Sequence, residues 1–263
     1  MTTPLATVRG LSVAYRADGT RHFALKDIDL DLIAGEKLAI IGESGSGKST
    51  LSLALAGLLP QEAELGGTIA WPGLDHAPRA GRDIGVVFQD PGSSLNPVLR
   101  IGEQVAEGAR HHLALGRSAA RERARELLGR VRIPDPDSAL DAYPHQFSGG
   151  QRQRIAIAGA IAARPALLIA DEATSALDTV VQAEIAALLD NLVREEAMTL
   201  LFVTHDIALA AELSDRLAVF RAAELVEVGE TARVIHEPVA EYTRGLLAAH
   251  IDFASPRLVG GFT

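Results

Sequence analysis

The stretch Gly42-Glu43-Ser44-Gly45-Ser46-Gly47-Lys48-Ser49-Thr50 constrains this chain more than any other. The apolar run Leu38-Ala39-Ile40-Ile41 precedes it, and Leu51-Ser52-Leu53-Ala54-Leu55-Ala56-Gly57-Leu58 follows. The pattern predicts a buried strand, a glycine loop and a buried helix, the context a phosphate-binding loop requires. Glycines let the backbone curl so that successive N–H groups point at a polyphosphate. The helix presents its positive end to the same anion. In such a loop Lys48 supplies a point charge to the β- and γ-phosphates, and Ser49 a hydroxyl ligand for Mg²⁺. The alternative is a glycine-rich turn that binds nothing. Glycine makes up roughly 7% of average residues, so a chance match at every fixed position is rare. The stretch predicts a nucleoside triphosphate site.

Composition narrows what surrounds that site. A formal charge of −9 over 263 residues argues against a nucleic-acid backbone as the main partner. The absence of cysteine excludes disulfides, cysteine-ligated zinc and iron–sulfur clusters. No uninterrupted apolar run approaches the roughly 20 residues of a membrane span. The nearest, Ile155 to Ala170, is broken by Arg164-Pro165. Met1-Thr2-Thr3-Pro4 lacks the basic and apolar regions of a signal peptide. A membrane, if one is involved, is expected to come from another chain.

Residues 5–32 read as β structure with period two, Ile28, Leu30 and Leu32 alternating with Asp27, Asp29 and Asp31. Val8, Leu11, Val13 and Tyr15 form a second, rougher set, and Ala17-Asp18-Gly19-Thr20 is a turn. Tyr15 is either an ordinary strand aromatic or a ring that stacks on an adenine. Ile84-Gly85-Val86-Val87-Phe88 is a short buried strand leading to Gln89, which either lies on the surface or reaches a metal or water beside the loop. From residue 92 to about 165 the chain turns helical: Pro97 is expected to open one helix and Ser118 to cap another. The arginines and glutamates of Arg121 to Glu126 suit a solvated helix face. Ser148-Gly149-Gly150-Gln151 precedes a helical run and is either a plain N-cap or a second anion site.

Ala166-Leu167-Leu168-Ile169-Ala170 is a buried-strand pattern ending in Asp171-Glu172. Acids there lie where ligands gather in a parallel sheet. Beside a phosphate loop the reading favours Asp171 holding Mg²⁺, through water or Ser49, and Glu172 polarising an attacking water. Val180 to Glu196 reads as a helix and Met198 to Thr204 as another buried strand, with His205 at its end. A lone histidine is usually structural, yet that position favours contact with a γ-phosphate. Arg216 to Phe220 and Glu224 to Val228 read as closing strands, followed by short helices around Val234 and from Glu241 to His250.

Taken together these motifs resemble the ATP-binding subunit of an ABC transporter over nearly the whole chain. The match is carried by Tyr15, Gly42 to Thr50, Gln89, Ser148-Gly149-Gly150-Gln151, Asp171-Glu172, Ser175-Ala176-Leu177-Asp178 and His205, in the family's order. It implies an α/β fold: a P-loop NTPase core, a mainly parallel sheet flanked by helices, with an N-terminal antiparallel β subdomain and an inserted helical subdomain. It implies one ABC ATPase domain over 1–263, the insert at approximately 92–165 and a short tail at approximately 230–263. The implied cofactors are ATP and Mg²⁺. Tyr15 stacks on the adenine, and Gly42, Glu43, Ser44, Gly45, Ser46, Gly47, Lys48, Ser49 and Thr50 cradle the phosphates. Ser49, Gln89 and Asp171 serve the metal, and Glu172, His205 and Gln89 serve catalysis. Ser148, Gly149, Gly150, Gln151 and Asp178 meet nucleotide across a head-to-tail pair of subunits.

A narrower resemblance, in Gln89-Asp90-Pro91, Ser94-Leu95-Asn96-Pro97, Ile101-Gly102-Glu103-Gln104 and Tyr242-Thr243-Arg244, is to the oligopeptide/dipeptide/nickel importer class. It implies two membrane permease subunits, a second ATPase, a substrate-binding protein outside the membrane, and a place at the cytoplasmic face. No nucleic-acid partner is expected. The chain departs from the family pattern at Phe147, at Gly159, where arginine is usual, and at Ala223, near the usual hairpin glycine. Three rivals compete. A phosphate-loop kinase has no need of Ser148 to Gln151. A non-hydrolysing nucleotide sensor has no need of Glu172 and His205. A soluble ABC-type ATPase acting on nucleic acid or ribosomes keeps the signature but is usually a longer or tandem chain.

Overall fold

The computed structural model describes residues 3–17, 20–89, 94–173 and 178–250. Its larger sheet has the order β5-β6-β7-β3-β8-β9, formed by β5 (Ile84–Val87), β6 (Leu167–Asp171), β7 (Thr199–Val203), β3 (Lys37–Gly42), β8 (Arg216–Arg221) and β9 (Glu224–Glu230). All neighbours are parallel except β8 and β9, which form an antiparallel hairpin. Strands in such a sheet are covered on both faces, which is why they read as unbroken apolar runs. Ala39, Ile41, Leu168, Ala170, Leu200 and Phe202 enter one core. Their neighbours Leu38, Ile40, Leu167, Ile169, Leu201 and Val203 enter the other.

A second sheet, ordered β2-β1-β4, is antiparallel. It comprises β1 (Pro4–Ala17), β2 (Thr20–Ile33) and β4 (Glu64–Ala70). Ile28, Leu30 and Leu32 are buried, as their alternation with aspartates predicts. The rough set Val8, Leu11 and Val13 is also buried, and its uneven spacing has a cause: the β1–β2 register shifts on both sides of Leu11. β4 goes unannounced because Glu-Leu-Gly-Gly-Thr-Ile-Ala has no alternation and two residues without side chains.

Between β5 and β6 lie α2 (Ile101–His112), α3 (Arg117–Arg130), α4 (Pro136–Asp141) and α5 (Gly149–Ala160). Their apolar faces join the same core as one face of the large sheet. Two expected helix starts move. Pro97 lies in a turn, and the helix begins at Ile101: the Asn96 side chain accepts the Val98 N–H (3.1 Å), and Gln104 Nε2 donates to the carbonyls of Asn96 and Leu99. Those bonds commit residues 96–99 to a turn. Ser118 sits inside the first turn of α3, because Gly116 takes the cap position.

Further helices are α1 (Lys48–Ala56), α6 (Thr179–Glu195), α7 (Ile207–Leu213), α8 (Thr231–His236) and α9 (Glu241–His250). Gly159 lies near the end of α5 with nothing within 4 Å of where a side chain would begin. It helps line an open cleft of about 450 Å³ with Gly85 of β5 and Gly108 and His111 of α2. Across the β8–β9 turn, Ala222 and Ala223 both adopt left-handed backbone (φ 47° and 70°), a strained choice for alanine.

Those two positions predict opposite substitutions. Gly159→Ala should stabilise by about 0.5–1 kcal/mol, because alanine is the better helix former and has room. Exposed Ala222→Gly should stabilise by about 0.5–1 kcal/mol through relief of the left-handed strain. Each is expected to raise Tm by about 1–4 °C in thermal unfolding. A fall in Tm for either contradicts the local geometry.

Candidate nucleotide site

The loop between β3 and α1 is wedged between two other segments. A Cβ on Gly42 (φ 149°) would lie 2.2 Å from the Phe220 carbonyl oxygen of β8. One on Gly47 (φ 105°) would lie 2.4 Å from the Ala24 carbonyl oxygen of β2. Only glycine permits both approaches. The Ala223 N–H donates to the Ser46 carbonyl (3.1 Å) while the Ala223 carbonyl accepts from Lys26 N–H (2.7 Å), so the β8–β9 turn ties the loop to β2. Sequence reading marks Ala223 only as a missing glycine; its part in holding the loop needs the fold to be seen.

Inside the loop Lys48 is buried, its Nζ donating to the carbonyls of Gly42 (3.0 Å) and Glu43 (2.8 Å). Burial pushes its pKa down, and the carboxylates of Glu172 and Asp171 push it back up. Ser46 is buried with an unpartnered hydroxyl. Ser44 and Gly45 are exposed, as is Ser49, and Thr50 is half-buried on α1. Ser49 Oγ donates to Asp171 Oδ1 at 3.1 Å, joining the start of α1 to the end of β6. A buried cation, an unmet hydroxyl and side-chain-free backbone fit a polyphosphate. The adjoining hydroxyl and carboxylate fit a hard divalent cation. No group of three or more acidic or histidine side chains that could hold a metal ion occurs among the described residues.

The sheet order brings the other strand ends to the same place. β7 lies between β3 and β6, with Val203 opposite Asp171 and the Thr204 N–H donating to the Ile40 carbonyl (3.2 Å). Glu172, half-buried, donates its N–H to the Val203 carbonyl (2.9 Å) and holds left-handed backbone (φ 48°). Such strain in a non-glycine residue is typical of functional positions. His205 is exposed just beyond β7, and Asp206 caps α7 through the Leu209 N–H (3.0 Å). Gln89 is exposed two residues beyond β5. Tyr15 is half-buried against the second core and faces His22 of β2, two residues before the Ala24 carbonyl that abuts Gly47.

Ser148 to Gln151 stand apart. Ser148 Oγ accepts the Gln151 N–H (3.3 Å), and Gln151 Oε1 accepts the Ser148 N–H (2.9 Å), a reciprocal capping box on α5. α5 packs on α2, α3, α6 and β5, whereas α1 packs on β2, β3, β6 and β7. The signature therefore bonds to itself rather than to this chain's loop. A Cβ on Gly150 would meet Val181 Cγ1 at 3.0 Å, and Asp178 caps α6 through that same residue's N–H (3.0 Å). The starts of α5 and α6 are thus neighbours, and Gly149 is half-buried. Ser175, Ala176 and Leu177 lie outside the described residues, as do Asp90 and Pro91.

Asp171 carries the electrostatic burden of this arrangement. Burial pushes its carboxyl pKa up, the Ser49 hydrogen bond pulls it down, and Glu172 pushes it up again. A carboxylate whose pKa rises on folding destabilises the folded state at neutral pH. Asp171→Asn, which keeps an oxygen for Ser49, should therefore raise Tm in thermal unfolding. A lower Tm would contradict the burial argument.

Comparison with known proteins agrees with this geometry. The family model described as ABC transporter matches residues 25–175. A Brucella abortus (strain 2308) ATP-binding protein named for peptide import is 47% identical over 260 residues, 95% of this chain and 78% of the relative. The Bacillus subtilis (strain 168) oligopeptide transport ATP-binding protein OppD is 41% identical over 257 residues, 94% of this chain and 72% of OppD. Among solved structures, a dimeric ATP-binding cassette in a post-hydrolysis state with ADP and Pi superposes with a TM-score of 0.74. It is 30% identical, covering 86% of this chain and 98% of that one. The chain belongs to the ABC transporter family and is an ATPase.

Proposed function

We propose that this chain is the ATP-binding and hydrolysing subunit of an ABC importer, paired head to tail with a second ATPase. The observation that carries the pairing is the separation just described: the capping box of Ser148 and Gln151 lies on α5, apart from the loop between β3 and α1. In the pair, Ser148, Gly149, Gly150 and Gln151 of one subunit meet the γ-phosphate held by the other, with Asp178 at the junction. The dimeric likeness bound to ADP and Pi supports that reading.

ATP lies with its adenine on Tyr15 and its phosphates on the backbone of Gly42 to Thr50, Lys48 reaching the β- and γ-phosphates. Ser49 and Asp171, with Gln89, hold Mg²⁺, which neutralises charge on the phosphates. Glu172 accepts a hydrogen bond from a water, His205 helps align it, and the water oxygen attacks the γ-phosphorus. The bond from that phosphorus to the β,γ-bridging oxygen breaks, leaving ADP and phosphate. ATP favours the closed pair only through its higher affinity for that state, so loss of the γ-phosphate reopens it.

Residues between Gln89 and Gly102 pass closure on to membrane permeases. Val98 and Leu99 there are exposed apolar side chains, and an uncovered pair of that kind suits contact with another protein. No helix of the described residues is long and apolar enough to cross a membrane, and the two permease subunits of this reading are separate chains. This subunit then works at the cytoplasmic face, and a substrate-binding protein acts on the far side. The relatives named for peptide and oligopeptide transport weigh toward peptides over nickel or metal chelates as cargo.

Glu172→Gln should leave ATP affinity intact and slow turnover by roughly 10²–10⁴, the worth of general-base assistance. Near-normal turnover would remove Glu172 from that role. Lys48→Ala should weaken ATP binding itself; normal affinity would count against the loop. For the importer, tagged chain recovered from gently solubilised native membranes should carry two polytopic permeases and an ATPase partner. Recovery with ribosomes or DNA alone would overturn transport.

A further inference from the structure

The connection from β4 to β5 closes on one histidine. His76 Nδ1 lies 2.5 Å from Asp75 Oδ1, and His76 Nε2 lies 3.0 Å from Asp83 Oδ1, so each ring nitrogen faces a carboxylate. A neutral imidazole carries one N–H and can donate to only one of them, leaving a lone pair aimed at the other. Only the imidazolium donates to both. Asp75 first and Asp83 next hold the ring's pKa above the usual histidine value, against the opposing effects of partial burial and Arg82.

Asp83 gives that pairing its reach. It is buried, and its second carboxylate oxygen accepts the Arg79 N–H (2.9 Å) while its own N–H donates to the Arg79 carbonyl (2.9 Å). The Asp83 carbonyl accepts the Leu167 N–H at the start of β6 (3.1 Å), and the Gly81 N–H donates to the Ile84 carbonyl of β5 (2.8 Å). A buried carboxylate depends on its donors, so His76 helps to secure a turn joined to both strands. Within that turn Ala80 and Gly81 line the cleft of about 450 Å³ together with His111 and His112 of α2 and Gly159 of α5. A Cβ on Gly81 would lie 3.1 Å from His112 Nε2, so turn and helix adjoin there. His112 is pushed the other way: burial first, then His111, Arg82 and Arg79, lower its pKa against Asp83.

We infer that His76 is a pH-sensitive clasp: as an imidazolium bridging Asp75 and Asp83 it holds the Ala80–Gly81 wall of the cleft in place, and as a neutral ring it releases one end. Because the folded pKa is raised, the clasp is fully made below the unfolded value of about 6.5 and is lost as pH rises through the higher folded one. The inference stands on this turn alone and does not depend on the nucleotide site.

NMR on the full chain tests it, following the His76 ring and the Gly81 amide from about pH 6 to about pH 9. The ring should titrate above the free histidine value, and Asp83→Asn should lower its midpoint. Should burial of Asp83 make that variant fail to fold, exposed Asp75→Asn removes the other acceptor and should also lower the midpoint. A midpoint at or below the free value, or one that the removal of an acceptor leaves unmoved, overturns the clasp. Hydrogen-exchange protection at Gly81, corrected for the intrinsic effect of pH, should fall by about twofold to fivefold as the ring loses its proton, the scale of a half-exposed ion pair. In His76→Gln the corrected protection should not change with pH. The same fall in both proteins, or none in the wild type, overturns the link between His76 and the cleft wall.

Discussion

The structure depends on two backbone approaches that leave no room for a side chain: Gly42 against the Phe220 carbonyl and Gly47 against the Ala24 carbonyl. They fasten the loop to β8 on one side and to β2 on the other. The large sheet and the smaller antiparallel sheet thereby hold the loop jointly, and the β8–β9 turn closes the frame through Ala223. A loop clamped in this way keeps its N–H groups oriented before any anion arrives, so little ordering has to accompany binding.

Around that frame the strand order determines which chemistry is available. Because β7 runs between β3 and β6, the ends carrying Asp171, Glu172 and His205 fall beside the end carrying the loop. The arrangement costs stability in several places: a buried lysine, a buried carboxylate with a raised pKa, and a glutamate in left-handed backbone. None of these helps the fold as a fold. Together they form a site that is electrostatically incomplete alone, and on the proposed reading a polyphosphate and a cation would satisfy the groups the protein leaves strained or desolvated.

Much of this was legible in the sequence because it rests on local patterns. An apolar run followed by glycines and Lys48, or an apolar run ending in Asp171-Glu172, announces a strand and what stands at its end without knowledge of the neighbours. What stayed hidden depends on contacts distant in the chain. β4 lacks alternation and is a strand because β1 pairs with it. Pro97 suggests a helix start, yet the side chains of Asn96 and Gln104 keep that segment as a turn. Ser148 reads as either a cap or an anion site, and the cap is present in full. The role of Ala223 follows from the residues it touches, Ser46 and Lys26. No pattern near it in the sequence points there.

The central claim is that this site recognises a polyphosphate through backbone and Lys48, with the base a lesser contact. Titration calorimetry of the purified chain with ATP, ADP and AMP in the presence of Mg²⁺ tests it most directly. The account predicts clear binding of ATP and ADP and none measurable for AMP, which keeps the adenosine but lacks the phosphates Lys48 would meet. Comparable affinity for AMP and ATP would show that the base, and not the loop, carries recognition.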